Sequence, residues 1–425
     1  MMRHVAIVGG GAAGIYAALG AREAGACATI LERNRRLGIK ILISGGGKCN
    51  ITHDAEPGVL EHGFVLREGR FLRYAFHELP PSRVLRELHA EGLQTVTRPN
   101  GRVFPLSGRA DDVLSAFERM LAQAGAEVET GLPVQEIVLH GDRVRGVRVN
   151  DVVREYDAVV IATGGMSYRK VGTTGDGIRF ADAMGLAVVP VSAALAPIYF
   201  PAPPPAGWQG VALRDVVFWI ERSDGTRPRF ERSSAYPSEW RGDLLLTHRG
   251  VSGPVALEVS RAAAVLEDGR ESVQLLVDLI PDTGAEELRK EWDGRIAASG
   301  RSEVQTFVGE YAPNALVPSL LESCGVRPGT KMTTATRDER AAVLGVLKRW
   351  RVGTVGEVPV DRGEVTAGGV ALDAVKPTTM AARGVHGLYI AGEALDVAGC
   401  VGGYNLQAAF STGYVAGRSA ALGQE

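Results

Sequence analysis

Cysteine is scarce. The 425-residue chain carries four, Cys27, Cys49, Cys324 and Cys400. No two of them stand as C-x-x-C, which excludes the usual zinc framework and a dithiol redox pair; no metal site is expected. This usage fits a reducing compartment, the cytoplasm. Apolar runs are short: none approaches the ~18 residues that a membrane-spanning helix requires, so no membrane partner is expected. Arg3 followed by an apolar stretch has the outline of a leader peptide, but the glycines and the second strand that come next read as folded structure. An excess of charge of one sign is lacking as well. Lys and Arg number 47 against 49 Asp and Glu, a net charge of −2, which removes any global electrostatic case for nucleic acid.

Glycine is abundant, with 54 residues, clustered in loops near the two ends. Hydrophobic content of 45% and charged content of 23% are those of an ordinary globular protein, and the length calls for two or three domains. The chain is organised on Gly9-Gly10-Gly11-Ala12-Ala13-Gly14. His4-Val5-Ala6-Ile7-Val8 reads as a short buried strand before it, and residues 15–24 as a helix of good formers without proline after it. G-x-G-x-x-G (Gly9, Gly11, Gly14) therefore stands at a strand-to-helix turn. Gly9 allows the tight turn, Gly11 the close approach of a pyrophosphate, and Gly14 close helix packing. The N–H groups at the start of the helix, around Ala12 and Ala13, face the anion. Residues 28–31 form a second strand ending in Glu32, where a carboxylate can accept from a ribose diol.

Further along, Ser44-Gly45-Gly46-Gly47-Lys48-Cys49-Asn50 follows an apolar segment and reads as a backbone nest for anionic or carbonyl oxygens. Pro81 opens a helix with Val84, Leu85 and Leu88 on its apolar positions. Residues 100–107 read either as a hairpin with a buried Phe104 or as part of a site. Residues 111–124 are an amphipathic helix stopped by Gly125. Val128 and Val134 mark strands, and residues 144–149 and 152–156 a hairpin about Asn150-Asp151. Residues 157–165 are a strand ending in Thr163-Gly164-Gly165. Composition changes after Leu186, where prolines and short β-like runs suggest an inserted domain. Residues 285–350 read as helical, with Arg337, Arg340, Lys348, Arg349 and Arg351 as a solvated face or, alternatively, a polyanion contact. A strand ending in Gly392-Glu393, a glycine turn and a last helix close the chain. Gly172 to Gly177 is not a second G-x-G-x-x-G, so no resident nicotinamide domain is expected.

Gly38-Ile-Lys-Ile-Leu-Ile-Ser-Gly-Gly-Gly-Lys-Cys-Asn50 resembles the signature of the YhiN/BaiN-type FAD-dependent flavoproteins. So do Ala162–Tyr168, Gly172–Gly177, Gly242–Pro254 and Gly387–Gln407, so the resemblance runs the whole length. The signature usually has Arg where Lys48 stands, which keeps the charge and loses the planar fork, and Pro where Arg169 stands. The resemblance implies an α/β chain: a discontinuous, Rossmann-like FAD-binding domain of the two-dinucleotide type (1–190 and 363–425), an inserted β domain (191–280, with a return at 341–362) and a small helical domain (281–340). It implies FAD contacts at Gly9, Gly11, Ala12, Ala13, Gly14, Glu32, Arg33, Lys40, Ser44, Gly45, Gly46, Gly47, Lys48, Cys49 and Asn50. Further along, it implies them at Val134 (through its backbone, at the adenine), Thr163, Gly164, Gly392, Glu393, Gly402, Gly403, Tyr404, Asn405 and Leu406. The last helix then points its positive end at the flavin N1–C2=O edge.

Family members have been linked to reduction of enone-type C=C bonds in steroids, reduction of uridine in ribosomal RNA and oxidation of a small aminoketone. The expectation is an FAD enzyme moving hydride at flavin N5, with Lys48, Asn50, Tyr168, His248 and Tyr404 as candidate catalytic residues. Reduction of an enone- or uracil-like small-molecule or nucleotide-like substrate is favoured, because Lys40, Lys48 and His248 suit polarising a carbonyl. NAD(P)H is then a transient reductant. Oxidation of a small amine and a non-catalytic, RNA-associated or redox-sensing flavoprotein are the alternatives.

Overall fold

β1 (His4–Val8) is buried along all but its first residue because it is paired on both sides. The computed structural model describes residues 2–228, 238–269 and 271–425. It places β1 between Ala158–Ile161 and β2 (Cys27–Glu32) in a five-stranded sheet. Leu388–Ile390 flanks Ala158–Ile161 and Glu127–Thr130 flanks β2, and every pairing is parallel. A parallel sheet is covered on both faces, so its strands read as unbroken apolar runs; Ala158–Ile161 and Leu388–Ile390 are buried at every position. Strand order reverses at β1, and in open sheets of this kind ligands bind beyond the carboxyl ends of the strands at that point.

α1 (Ala12–Glu23) leaves the sheet at that edge. It lies against the C-terminal helix Tyr404–Leu422 through small residues. A methyl group on Gly413 would overlap the Ala13 carbonyl oxygen, and one on Gly417 that of Ala17. The start of α1, at Ala13, thus packs against Gly413, nine positions after the start of the C-terminal helix at Tyr404 (413 − 404). Ala110–Ala124 forms as expected, stopped at Gly125, and the hairpin turns at Asn150 and Asp151, both with positive φ, as a tight two-residue turn requires.

Two local expectations are corrected. α2 (Ile39–Gly47) is helical from Ile39, but Ser44 is extended and Gly45 and Gly46 are left-handed, so the nest is a kink built into a helix. Val134 is not on a strand. It is buried between Glu127–Thr130 and Glu136–His140, where Pro133 offers no N–H for a ladder.

The described chain forms two compact units. The first takes residues 2–194 and 360–425, the second those between. Strand Val188–Ala194 pairs with Val365–Val370 and stays in the first unit. The second unit is built on a six-stranded antiparallel sheet from Ile198–Tyr199 to Trp350–Thr354. Helices Ala285–Ala298, Val304–Gly309, Val317–Ser323 and Arg337–Lys348 belong to this same unit. Trp208 Nε1 donates to Ser319 Oγ at 2.9 Å and its ring meets Trp350 edge-on, which ties the helical run to the sheet's core. Three of the basic residues flagged there are paired, Arg340 with Asp293, Lys348 with Asp278 and Arg349 with Glu221, while Arg337 and Arg351 are exposed.

Candidate functional site at the carboxyl edge of the parallel sheet

The first unit gathers Gly9–Gly14, Glu32, Thr163, Gly164, Gly392 and Glu393 at one edge, because each stands at or just beyond the carboxyl end of a strand of the parallel sheet. Gly9 has φ +104° and a methyl group there would lie 2.6 Å from the Ala162 carbonyl oxygen. Gly14 packs against the Gly9 carbonyl with no room for a side chain. Gly11, at the N-cap of α1, has nothing within 4 Å of the same position. The two glycines of close packing thus flank one that faces open space at a helix N-terminus, the shape a pyrophosphate needs. Ala12 and Ala13 are the first residues of that helix.

Glu32 is 6% exposed. Its Oε2 accepts from Gly10 N and its Oε1 from Asn34 N, each at 2.7 Å, so the carboxylate shapes the glycine loop. Arg33 donates to Thr174 and is paired with Asp176 at 2.7 Å. Thr163 Oγ1 accepts from Gly177 N at 3.1 Å, and Gly164 packs on the Thr173 methyl.

The nest of α2 is open. Gly45, Gly46, Gly47 and Lys48 are exposed, and nothing lies within 4 Å of a methyl group on Gly46. Ser44 Oγ donates to Ile41 O at 2.7 Å. Cys49 and Asn50 turn inward instead. Cys49 is fully buried and burial pushes its thiol up to about 12. The Asn50 amide donates to Val103 O and Thr52 O and accepts from Gly403 N. The structure therefore gives Asn50 a bracing role between the strand Arg102–Pro105 and the last glycine turn.

Beside the nest, Lys40 Nζ reaches Ser167 Oγ at 2.6 Å and Glu393 Oε2 at 2.5 Å. Glu393 Oε1 accepts from Thr366 N at 2.9 Å. Tyr168 holds a positive φ of 54°, and its phenol is raised by burial and by the Glu364 charge, with Arg362 opposing. Glu364 is raised by burial, while Arg102 and Lys40 pull it back. Glu364 is exposed by surface area, although many protein atoms surround it. Arg102 and Glu364 carry no motif of their own; they sit 262 positions apart (364 − 102) and only the return of the chain brings them together.

Tyr404 opens the C-terminal helix, its ring stacked on His53 with centroids 4.6 Å apart. A methyl group on Gly403 would overlap the Thr52 backbone, so the helix start is clamped to the strand Thr52–His53. Asn405 bonds both backbone groups of Gly399, and Leu406 lies in the first turn. Gly392 N donates to Thr412 Oγ1 at 2.9 Å. His248 is exposed in the turn before Gly250–Ser252, in the second unit. Among the described residues no cluster of His, Cys, Asp and Glu could hold a metal, and no helix is long and apolar enough to cross a membrane.

An open glycine turn at one helix start, an acid after the second strand and a second helix start supplied by the C-terminal return define an FAD-binding oxidoreductase of the Rossmann type. The chain belongs to the family described as HI0933-like protein Rossmann domain, whose model matches residues 3–419, and it is an FAD-dependent oxidoreductase. It is 31% identical over 426 residues, 99% of each chain, to the 3-dehydro-bile acid delta(4,6)-reductase of Clostridium scindens. It is 29% identical over 413 residues to the ribosomal RNA dihydrouridine synthase of Escherichia coli, covering 96% of this chain and 95% of that one. The 3-ketosteroid delta1-dehydrogenase of Sterolibacterium denitrificans has the same fold, with a TM-score of 0.54 at 14% identity over 99% of this chain and 100% of that one.

Proposed function

We propose that the protein reduces a carbon–carbon double bond conjugated to a carbonyl, in an enone- or uracil-like substrate. The end-to-end similarity to the Clostridium scindens reductase carries this reading. FAD bound here and reduced by two electrons would supply the hydride chemistry at N5, with NAD(P)H from solution as the proposed reductant. The residues proposed to hold FAD are Gly9–Gly14, Glu32, the nest Ser44–Lys48, Thr163, Gly164, Gly392, Glu393 and the turn Gly402–Leu406. The backbone N–H groups at Tyr404 and Leu406 stabilise negative charge at the helix N-terminus. Lys40 polarises nearby oxygens while Ser167 and Glu393 fix its position. Tyr168 and Glu364, both shifted toward their protonated forms, are the proposed proton sources.

Amine oxidation asks for a carboxylate to hold an ammonium. Glu393 is taken by Lys40, Asp176 by Arg33, and Asp396 accepts from Gly368 N at 2.9 Å; Glu364 is held toward its neutral form. The test is anaerobic. The flavin is reduced, a cyclic enone, a uridine-containing RNA and an imine are added in turn, and reoxidation is followed by absorbance. The enone or the RNA is expected to reoxidise it. Rapid turnover with dioxygen and an aminoketone, with the C=C acceptors inert, would overturn the proposal.

A further inference from the structure

Resting on the reduction proposed above, we infer that Arg102 is the residue that anchors the carbonyl oxygen of the substrate. Among the described arginines whose side chains are not exposed, Arg102 alone has a guanidinium with no hydrogen bond or ion pair. The protein does not treat comparable groups this way. Arg83 holds Glu23, Glu87 and the Tyr414 hydroxyl; Arg154 holds both oxygens of Glu129; Arg22 holds two backbone carbonyls. The Arg102 nitrogens still reach solvent, so the whole fork is free to receive an arriving oxygen.

Its position says which oxygen. Arg102 pairs with His53 across the small sheet, and its Nε lies 3.6 Å from where a methyl group on Gly402 would stand, next to the turn that opens the C-terminal helix. On the other side it feels Glu364, and through it Lys40 and Tyr168. Neither Lys40 nor Arg102 hydrogen-bonds the Glu364 carboxyl, so the acid and the fork share one space without consuming each other. A neutral carbonyl, conjugated to the bond being reduced, accepts from the guanidinium and leaves the acid beside it undisturbed. Arg102 thereby selects substrates whose double bond is conjugated to C=O over isolated alkenes.

The test uses FAD-loaded wild type, Arg102→Gln and Arg102→Lys, with cyclohexanone, a neutral ketone that has no C=C to reduce, titrated against the flavin absorbance and a cyclic enone as acceptor. Arg102→Gln is expected to raise the cyclohexanone Kd roughly tenfold or more, as loss of a charged hydrogen bond does. It should raise the enone KM more than it lowers kcat, with FAD content and thermal midpoint unchanged; Arg102→Lys should fall between. An unchanged cyclohexanone Kd, no cyclohexanone response in wild type, or loss of FAD from Arg102→Gln would overturn the assignment. If cyclohexanone binding depends on Arg102 while wild type reduces no conjugated C=C, the assignment of Arg102 as the oxygen anchor stands and the proposed reduction falls.

Discussion

Lys40 and Glu393 stand 353 positions apart in the chain and meet at 2.5 Å. The pair is partly buried, with side chains 25% and 16% exposed, and it fastens the first turn of α2, the helix that carries the glycine nest, to the turn after the last strand. Removing one partner leaves the other charge uncompensated in a place short of water.

Lys40→Met and Glu393→Gln should therefore each weaken FAD retention by about 1.5–3 kcal/mol, the range for hydrogen bonds to charged groups. The double variant should lose less than the sum. Dialysis against apoprotein-stabilising buffer followed by flavin fluorescence measures it; strict additivity would show that the two side chains act independently.

Glu32 makes a different prediction. Its carboxylate serves two backbone N–H groups inside the protein, so Glu32→Ala should lower the stability of the apoprotein itself, by ~1–3 kcal/mol for each stranded donor. Glu32→Gln keeps one acceptor and should be milder. Urea unfolding of the apoprotein decides it: a loss confined to FAD binding would remove the role of Glu32 in shaping the loop.

The helix pair offers a steric test. Gly413→Ala or Gly417→Ala forces a methyl group into a carbonyl of α1 and should cost ~1–3 kcal/mol by overpacking, with FAD affinity falling because α1, which follows the glycine turn, is displaced. Gly58→Ala, where nothing lies within 4 Å, is the matched control and should be silent in the same thermal and flavin-binding measurements.

Cys49 predicts a pH dependence. Its thiol is raised to about 12 in the fold, against about 8.5 in an unfolded chain. The folded state thus holds the proton more tightly. This contribution is intact below the unfolded value and is lost as pH rises from about 8.5 toward 12. Cys49→Ala should flatten that part of the stability–pH curve. In native protein at neutral pH, iodoacetamide should leave Cys49 unlabelled by mass spectrometry, and labelling at the rate of a free thiol would contradict its burial.

Local chemistry made the strand–glycine–helix–strand unit legible, and likewise the helix Ala110–Ala124 and the turn at Asn150-Asp151, because each is written within a few residues. The kink in α2 was legible as a nest but not as part of a helix, since three glycines specify freedom, not a conformation. Asn50 carries a site-like residue type, yet tertiary packing takes its amide for the backbone of Thr52, Val103 and Gly403. Arg102 and Glu364 were invisible as a pair. Nothing periodic marks them, and what singles out Arg102 is the absence of a partner, a property that exists only once the chain has folded around it.

The parallel sheet has a consequence for synthesis. Its edge strand Leu388–Ile390 pairs with Ala158–Ile161, and the helix that packs on α1 begins at Tyr404. A chain still on the ribosome before that point displays Ala158–Ile161 with one edge unpaired and the glycine turn without its second helix. The intervening unit has meanwhile emerged whole and is free to fold, since domains fold as units during translation. A stop placed just before Leu388 is expected to leave a protein with a sticky, unsatisfied edge that does not retain FAD.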